Sequence, residues 1–356
     1  MKAAVYYNNH DIRVEELPKP TIGKGEILVK MKACGICGSD VLEWYRIKKA
    51  PLVLGHEMAG EIVEIGERRD FFGGKENGEK IGISGHIEIA NKFTVGDRVF
   101  VSHHVPCMKC GYCLNDLHTC CETLHTTNFY PGGFAEFIRV PEINVKLGTY
   151  TLPENVSFEE GTFIEPLGCI VRCHRLVNMK RAKSLLVIGS GMSGILHIQL
   201  AKMIVVKRIV AADINPCRLQ MATKFGADEG YMADGSLHET LKEKFDRVVV
   251  CAGAPQALHN ACKYIGKGGI VVPFAVPPPD VSVSLPLVDF WRNQITIMTS
   301  YGAAPRDLEE SLELLKEKKI HVKEMITHRF PLAEAGKAFQ KVVDGKDSLK
   351  VVITNR

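Results

Sequence analysis

A chain of 356 residues has room for about two domains, each able to bury a core of its own. Its 46% hydrophobic and 24% charged residues belong to a globular protein and exclude a disordered or fibrous one. The 45 Lys and Arg against 41 Asp and Glu, a net charge of +4, are too balanced for a dedicated nucleic-acid binder, and no apolar run approaches the length of a membrane span. The start turns polar at Asn8 before a signal-peptide core could form, so a cytoplasmic location is expected. Twelve cysteines fit a reducing compartment as metal ligands and small buried hydrophobes better than as disulfides.

Residues 26–31, 61–65 and 98–101 alternate apolar and polar side chains, which predicts short β-strands in the first half. Between them the glycine-rich, polar stretch 68–91 reads as a surface excursion, and His86 within it is not expected to be a ligand. From Lys183 the pattern changes to an apolar strand at 184–188, a glycine turn, a helix to about Val206 and another strand at 208–212. Strand signals recur at 246–250 and 269–272, so an α/β doubly wound parallel sheet is expected there. Three prolines at 277–279 interrupt it. A helix then opens at Pro305 with Leu308, Leu312 and Leu315 on one face. The apolar tail 349–353 is too short to stand alone and is expected to complete the first domain. The expected division is therefore 1–160 with 291–356, and 161–290.

Cys107, Cys110 and Cys113 recur at three-residue intervals and Cys121 follows, placing four thiolates in one loop. Four thiolates fill a tetrahedral ion and leave no open position, which points to structural zinc. Cys120 competes with Cys121 for the fourth place. Gly189, Gly191 and Gly194 form G-x-G-x-x-G between a predicted strand and helix, and Asp213 closes the next strand. That order fits a dinucleotide, with the pyrophosphate at the helix N-terminus and the ribose hydroxyls on the acid. Asp213 would repel a 2′-phosphate and favours NAD, although Arg218 could soften that preference if it reached the ribose.

Cys37-Gly-Ser39-Asp40, Gly55-His56-Glu57, the four-cysteine loop, Glu165-Pro166 and the glycine turn, in this order, resemble the zinc-containing medium-chain alcohol and polyol dehydrogenases. The resemblance spans essentially the whole chain, and Glu165-Pro166 resembles the sorbitol dehydrogenase branch. It implies a chaperonin-ten-like β domain and a nicotinamide-binding Rossmann domain. It also implies a catalytic zinc on Cys37, His56 and either Glu57 or Glu165, making two zinc ions per chain. Asp40 would orient the histidine by accepting its other ring N–H, and Ser39 would take the substrate proton. Leu42 stands where the family often has a histidine that passes this proton to solvent, so the relay must leave by another route.

The expectation is an NAD-dependent zinc dehydrogenase of a polyol or sugar-like secondary alcohol, assembled as a dimer or tetramer, with no nucleic-acid or membrane partner. A threonine dehydrogenase-like enzyme is the alternative, and a zinc nucleic-acid-binding module a remote third. Trp44, Tyr45, Trp291 and Arg292 are candidates to line the pocket.

Overall fold

Strand Ile27–Gly35 is almost wholly apolar, with Ile27, Leu28, Val29, Met31 and Cys34 buried, which suits the middle of a sheet covered on both faces. In the computed structural model, which describes residues 1–67, 93–234 and 237–355, it holds that place. It pairs antiparallel with Glu57–Ile65 and with Phe137–Val140. The tail strand Lys350–Thr354 pairs with its C-terminal end, with Val352 opposite Gly35 and Ile353 opposite Cys34. The sheet runs Ile326–Pro331, Lys350–Thr354, Ile27–Gly35, Glu57–Ile65, Arg98–Ser102, Thr149–Thr151. A smaller sheet of Asp11–Glu16, Lys2–Asn8 and Leu52–Val53 joins the same unit. Tyr6, Phe134 and Phe339 pack there, the Phe134 and Phe339 rings edge-on at 5.5 Å. Truncating such a buried ring to alanine costs about 3–5 kcal/mol. The expected excursion at 68–91, with His86, lies outside the described residues.

In the second unit all six described strands are parallel, in the order Glu229–Met232, Arg208–Asp213, Ser184–Ile188, Phe245–Val250, Ile265–Pro273, Thr296–Ile297. The order reverses beside Ser184–Ile188, the kind of switch point at which doubly wound sheets open a crevice for ligands. Two predicted strands, at 184–188 and 208–212, are found within a residue of expectation. The helix expected to reach Val206 is Met192–Met203: Ile204 caps it and Val205 takes a φ of 65°, turning the chain into the next strand.

The division of the chain differs from expectation on the C-terminal side. One unit is Met1–Phe163, His328–Asp344 and Val351–Arg356; the other is Ile164–Thr327 and Gly345–Lys350. Residues 291–327 thus stay with the parallel sheet. The reason is helix Pro305–Lys316, whose apolar face packs on helix Ile164–Leu176. Gly168 makes room for Leu308, whose Cδ2 would lie 2.8 Å from any added Cβ. Ser311 Oγ donates to the Ile164 carbonyl at 2.9 Å, and Asp307 pairs with Arg175. Amphipathicity alone predicts that such a face is buried, without saying against which unit.

Candidate zinc and dinucleotide sites

Strand Ser184–Ile188 delivers Gly189 at a φ of 95°, a conformation that side chains disfavour. A Cβ there would also strike the backbone of Cys251 and Ala252 at 3.0–3.1 Å. At Gly194 the constraint is approach, since a Cβ would fall 2.0 Å from the Gly189 carbonyl. Gly191, the N-cap of Met192–Met203, has only Arg218 Nη1 near its Cβ direction, at 4.0 Å. The turn therefore leaves a cradle before a helix N-terminus, which fits a pyrophosphate. Asp213 closes the neighbouring strand, buried, with Oδ2 accepting from the Ser190 N–H and Oδ1 from the Asn215 N–H. Arg218 donates through Nη2 to the Gly345 carbonyl at 2.7 Å.

In the first unit, Cys37 caps the short turn Gly38–Val41. Its Sγ accepts from the Ser39 N–H at 3.4 Å, while Asp40 Oδ2 accepts from the Cys37 N–H at 3.0 Å. This reciprocal cap fixes the thiol and the acid together. The ligand atoms of Cys37, His56 and Glu57 lie within 4.8 Å of one another. Donors that share a zinc ion at about 2.0–2.3 Å are under about 4.6 Å apart, so this donor set fits an open site with room for a fourth oxygen. Asp40 is fully buried, its Oδ1 3.4 Å from His56 Nδ1. Burial acts to raise the Asp40 carboxyl, but His56, Arg46 and the Cys37 amide outweigh it and hold it below its ordinary value. Burial likewise opposes the charged form of His56, yet Asp40 and the Cys37 sulfur raise the imidazole well above its usual range.

Sγ atoms of Cys107, Cys110, Cys113 and Cys121 also lie within 4.8 Å of one another. Cys120, the competitor, ends the turn His118–Cys120 and is exposed, whereas Cys121 is buried. The Cys110 N–H donates to Cys107 Sγ and the Cys107 N–H to Cys121 Sγ, both at 3.3 Å. Burial raises Cys121, but the Cys107 and Leu124 amides bring it down to about 6. Burial and the neighbouring thiols push Cys113 up to about 12. Four crowded sulfurs with amides aimed at them suit a divalent ion with no open position.

Glu165 opens helix Ile164–Leu176 in the second unit, and its Oε1 accepts from the Cys169 thiol at 3.5 Å. The Tyr45 and Trp44 rings meet at a tilt, their centroids 5.8 Å apart, whereas Trp291 is 80% exposed. Sequence reasoning missed three residues of the first-unit site. Arg46 donates from Nη2 to Ser39 Oγ at 3.1 Å, and His103 packs at a tilt against His56, with ring centroids 4.9 Å apart, and His104 against His103 at 3.8 Å. The adjacent histidines directly after strand Arg98–Ser102 were a visible signal; nothing local singled out Arg46.

Fold and sites together define a zinc- and dinucleotide-binding oxidoreductase of two units. Residues 23–149 match the family model for the alcohol dehydrogenase GroES-like domain, and residues 194–317 that of the zinc-binding dehydrogenases. Probable D-xylulose reductase A of Aspergillus clavatus is 29% identical over 95% of this chain and 92% of its own. L-threonine 3-dehydrogenase of Yersinia pestis is 28% identical over 96% of each. Among solved structures, the alcohol dehydrogenase of Thermus sp. ATN1 covers 100% of both chains with 27% identity and a TM-score of 0.80. The chain belongs to the zinc-containing medium-chain alcohol and polyol dehydrogenases. It is an enzyme of zinc-dependent alcohol oxidoreduction.

Proposed function

We propose that the protein is an NAD-dependent dehydrogenase that oxidises a secondary hydroxyl of a polyol or sugar-like substrate. The observation that carries this reading is the Cys37, His56 and Glu57 cluster with buried Asp40 behind its histidine and the Ser39 hydroxyl beside it. The zinc and the nicotinamide supply, when bound, a Lewis acid for the substrate oxygen and an acceptor for hydride. Cys37 and His56 hold the metal, and Asp40 fixes the imidazole tautomer by accepting from Nδ1. Ser39 receives the hydroxyl proton as the carbinol carbon gives up hydride, so a secondary alcohol yields a ketone. Leu42 offers no relay, and Arg46, a permanent cation, cannot accept that proton either. Asp213 receives the adenosine ribose and disfavours a 2′-phosphate, while Cys107, Cys110, Cys113 and Cys121 hold a second, structural zinc.

No disulfide joins any of the twelve cysteines, which supports a reducing, cytoplasmic setting, and no helix among the described residues is long and apolar enough to cross a membrane. Self-association as a dimer or tetramer is supported by Leu287, Val288 and Trp291, which are highly exposed on helix Leu287–Asn293. Leu287 and Trp291, with the edge strand Thr296–Ile297, line an open cavity of about 620 Å³. An apolar face next to a sheet edge calls for cover. The test of function is a turnover screen of vicinal polyols, L-threonine and simple alcohols with NAD and with NADP. Oxidation with NAD of polyols, offered neutral and as their acids or phosphate esters, is expected to exceed the rest; threonine as the leading substrate, or a preference for NADP, would sink the reading.

A further inference from the structure

The turn that carries Ser39 also carries a charge the dehydrogenase reading does not use. Arg46 folds back over Ser39: Nε donates to the Ser39 carbonyl at 3.0 Å and Nη2 to Ser39 Oγ at 3.1 Å, while Nη2 lies 3.5 Å from Asp40 Oδ1. Asp40 cannot serve as a dedicated counter-ion. Its Oδ2 accepts from the Cys37 N–H, and its Oδ1 is shared with His56 at 3.4 Å. Glu43, three residues before Arg46, accepts from the Asn9 N–H instead. Among the described residues Nη1 of Arg46 has no hydrogen-bond partner, although the side chain is only 15% exposed.

A second cation shares its aromatic neighbour. The Tyr45 ring carries the Arg46 guanidinium at 4.6 Å and Lys49 Nζ at 5.7 Å from its centroid.

We propose that Arg46 and Lys49 form a subsite for an oxyanion, a carboxylate or a phosphate, carried by the substrate close to the hydroxyl that Ser39 receives. The short distance follows from geometry, because the guanidinium that would pair with the anion already touches Ser39 Oγ. Guanidinium suits the task through its planar set of donors, and charge-assisted bonds to carboxylate or phosphate are stronger than neutral ones. A neutral polyol would offer no charge to the largely buried guanidinium, whose Asp40 neighbour at 3.5 Å is shared with His56, and sites built for a polar group reject analogues that lack it. The inference rests on the reading of Cys37, His56 and Ser39 as the place where substrate is oxidised.

The test uses matched substrates: a neutral polyol, the same skeleton ending in a carboxylate, and the same skeleton ending in a phosphate ester. The zinc-loaded enzyme should use one or both anionic forms with kcat/KM at least about tenfold above the neutral one. That advantage should vanish in Lys49→Gln and in Arg46→Met, mainly through KM, and return in part in Arg46→Lys. Which anionic form leads identifies the source of the oxyanion. Zinc content and thermal midpoint accompany each variant, so that a folding defect in Arg46→Met is visible and Lys49→Gln carries the comparison. Independently of turnover, the zinc-loaded, NAD-saturated protein is titrated calorimetrically with inorganic phosphate. Saturable binding weakened in Lys49→Gln is expected. A neutral polyol used as well as its anionic counterparts, or phosphate binding that is absent or indifferent to Lys49→Gln, overturns the proposal. If no alcohol is oxidised at all, the dehydrogenase reading fails while the phosphate titration still decides this one.

Discussion

Asp213 is tied to the glycine turn by its own carboxylate: Oδ2 accepts the backbone N–H of Ser190 at 2.6 Å. The acid that would receive the ribose is therefore also a strut holding the turn in shape, with Oδ1 accepting from the Asn215 N–H at 2.8 Å. Each oxygen keeps a second lone pair for a ribose hydroxyl.

Replacing Asp213 should accordingly change cofactor choice and stability together. Asp213→Ser removes the charge that repels a 2′-phosphate, so the ratio of kcat/KM for NADP over NAD should rise by at least about tenfold. It also leaves the Ser190 and Asn215 amides without their acceptor, which costs about 1–3 kcal/mol in the absence of cofactor. Kinetics with both cofactors, and denaturant unfolding of the free protein, read the two effects separately. An unchanged cofactor ratio would show that Asp213 acts on the turn alone.

Metal content provides a second check, because the two cysteine sites differ in consequence. Cys37→Ser should lose about one zinc per chain and all turnover while the fold is kept, since the strands around that site have their own core. Cys110→Ser should lose the other and unfold more readily, because among the described residues Cys113, Cys121 and Leu124 are the small buried cluster of that loop. Elemental analysis with thermal unfolding of both variants measures this; full metal in either variant overturns the assignment of that loop.

Much of this was legible because the signals are local. The turn of Gly189, Gly191 and Gly194 and the acid at Asp213 are set by backbone geometry that glycine alone relieves, and the strands on either side are continuous apolar runs. The four-cysteine loop was visible as spacing, but spacing cannot decide between adjacent residues. Burial favours Cys121, since Cys120 is exposed at the end of its turn and Cys121 is buried. The placement of 291–327 was not legible, because the apolar face of Pro305–Lys316 fits any complementary surface and Gly168 became its groove only in three dimensions. Arg46 was hidden for the same reason: its partner Ser39 lies seven residues back, and a chain reversal brings them together.

Acid sensitivity should arise in the second unit as well as at the metal sites. His174 Nε2 and His197 Nδ1 share one hydrogen bond at 3.0 Å between the helices Ile164–Leu176 and Met192–Met203, both rings buried. Burial lowers His174 to about 3, and burial with the His174 charge lowers His197 well below its usual value. Both are therefore neutral when folded, while in the unfolded chain each takes up a proton near pH 6.5. Their contribution is complete above that pH and falls as the pH drops toward the folded values, by about 1.4 kcal/mol per pH unit for each proton. Urea unfolding between pH 7 and 4.5 should show a slope that the double variant His174→Leu, His197→Leu reduces. Equal slopes in wild type and variant would exclude the pair as its source.

The third ligand of the proposed catalytic zinc is the sharpest remaining test, because Glu57 and Glu165 make different demands. Glu57 is fully buried and clustered with Cys37 and His56 in one unit. Glu165 begins the first helix of the other unit and is held through Cys169. A buried carboxylate that completes the donor set should lower zinc affinity when neutralised, whatever substrate is offered. Glu57→Gln is therefore expected to weaken zinc retention against a chelator by about 10–100-fold and to lose turnover in proportion. A carboxylate that yields to a substrate oxygen should instead act on discrimination. On that reading Glu165→Gln keeps its zinc and its affinity for NAD, but loses the preference for a vicinal diol over the matching mono-ol, with kcat/KM for the diol falling at least about tenfold. Chelator competition and diol against mono-ol kinetics on both variants separate the roles. Zinc loss in Glu165→Gln with normal retention in Glu57→Gln would exchange the assignments, and an unaffected Glu165→Gln would remove that residue from the site.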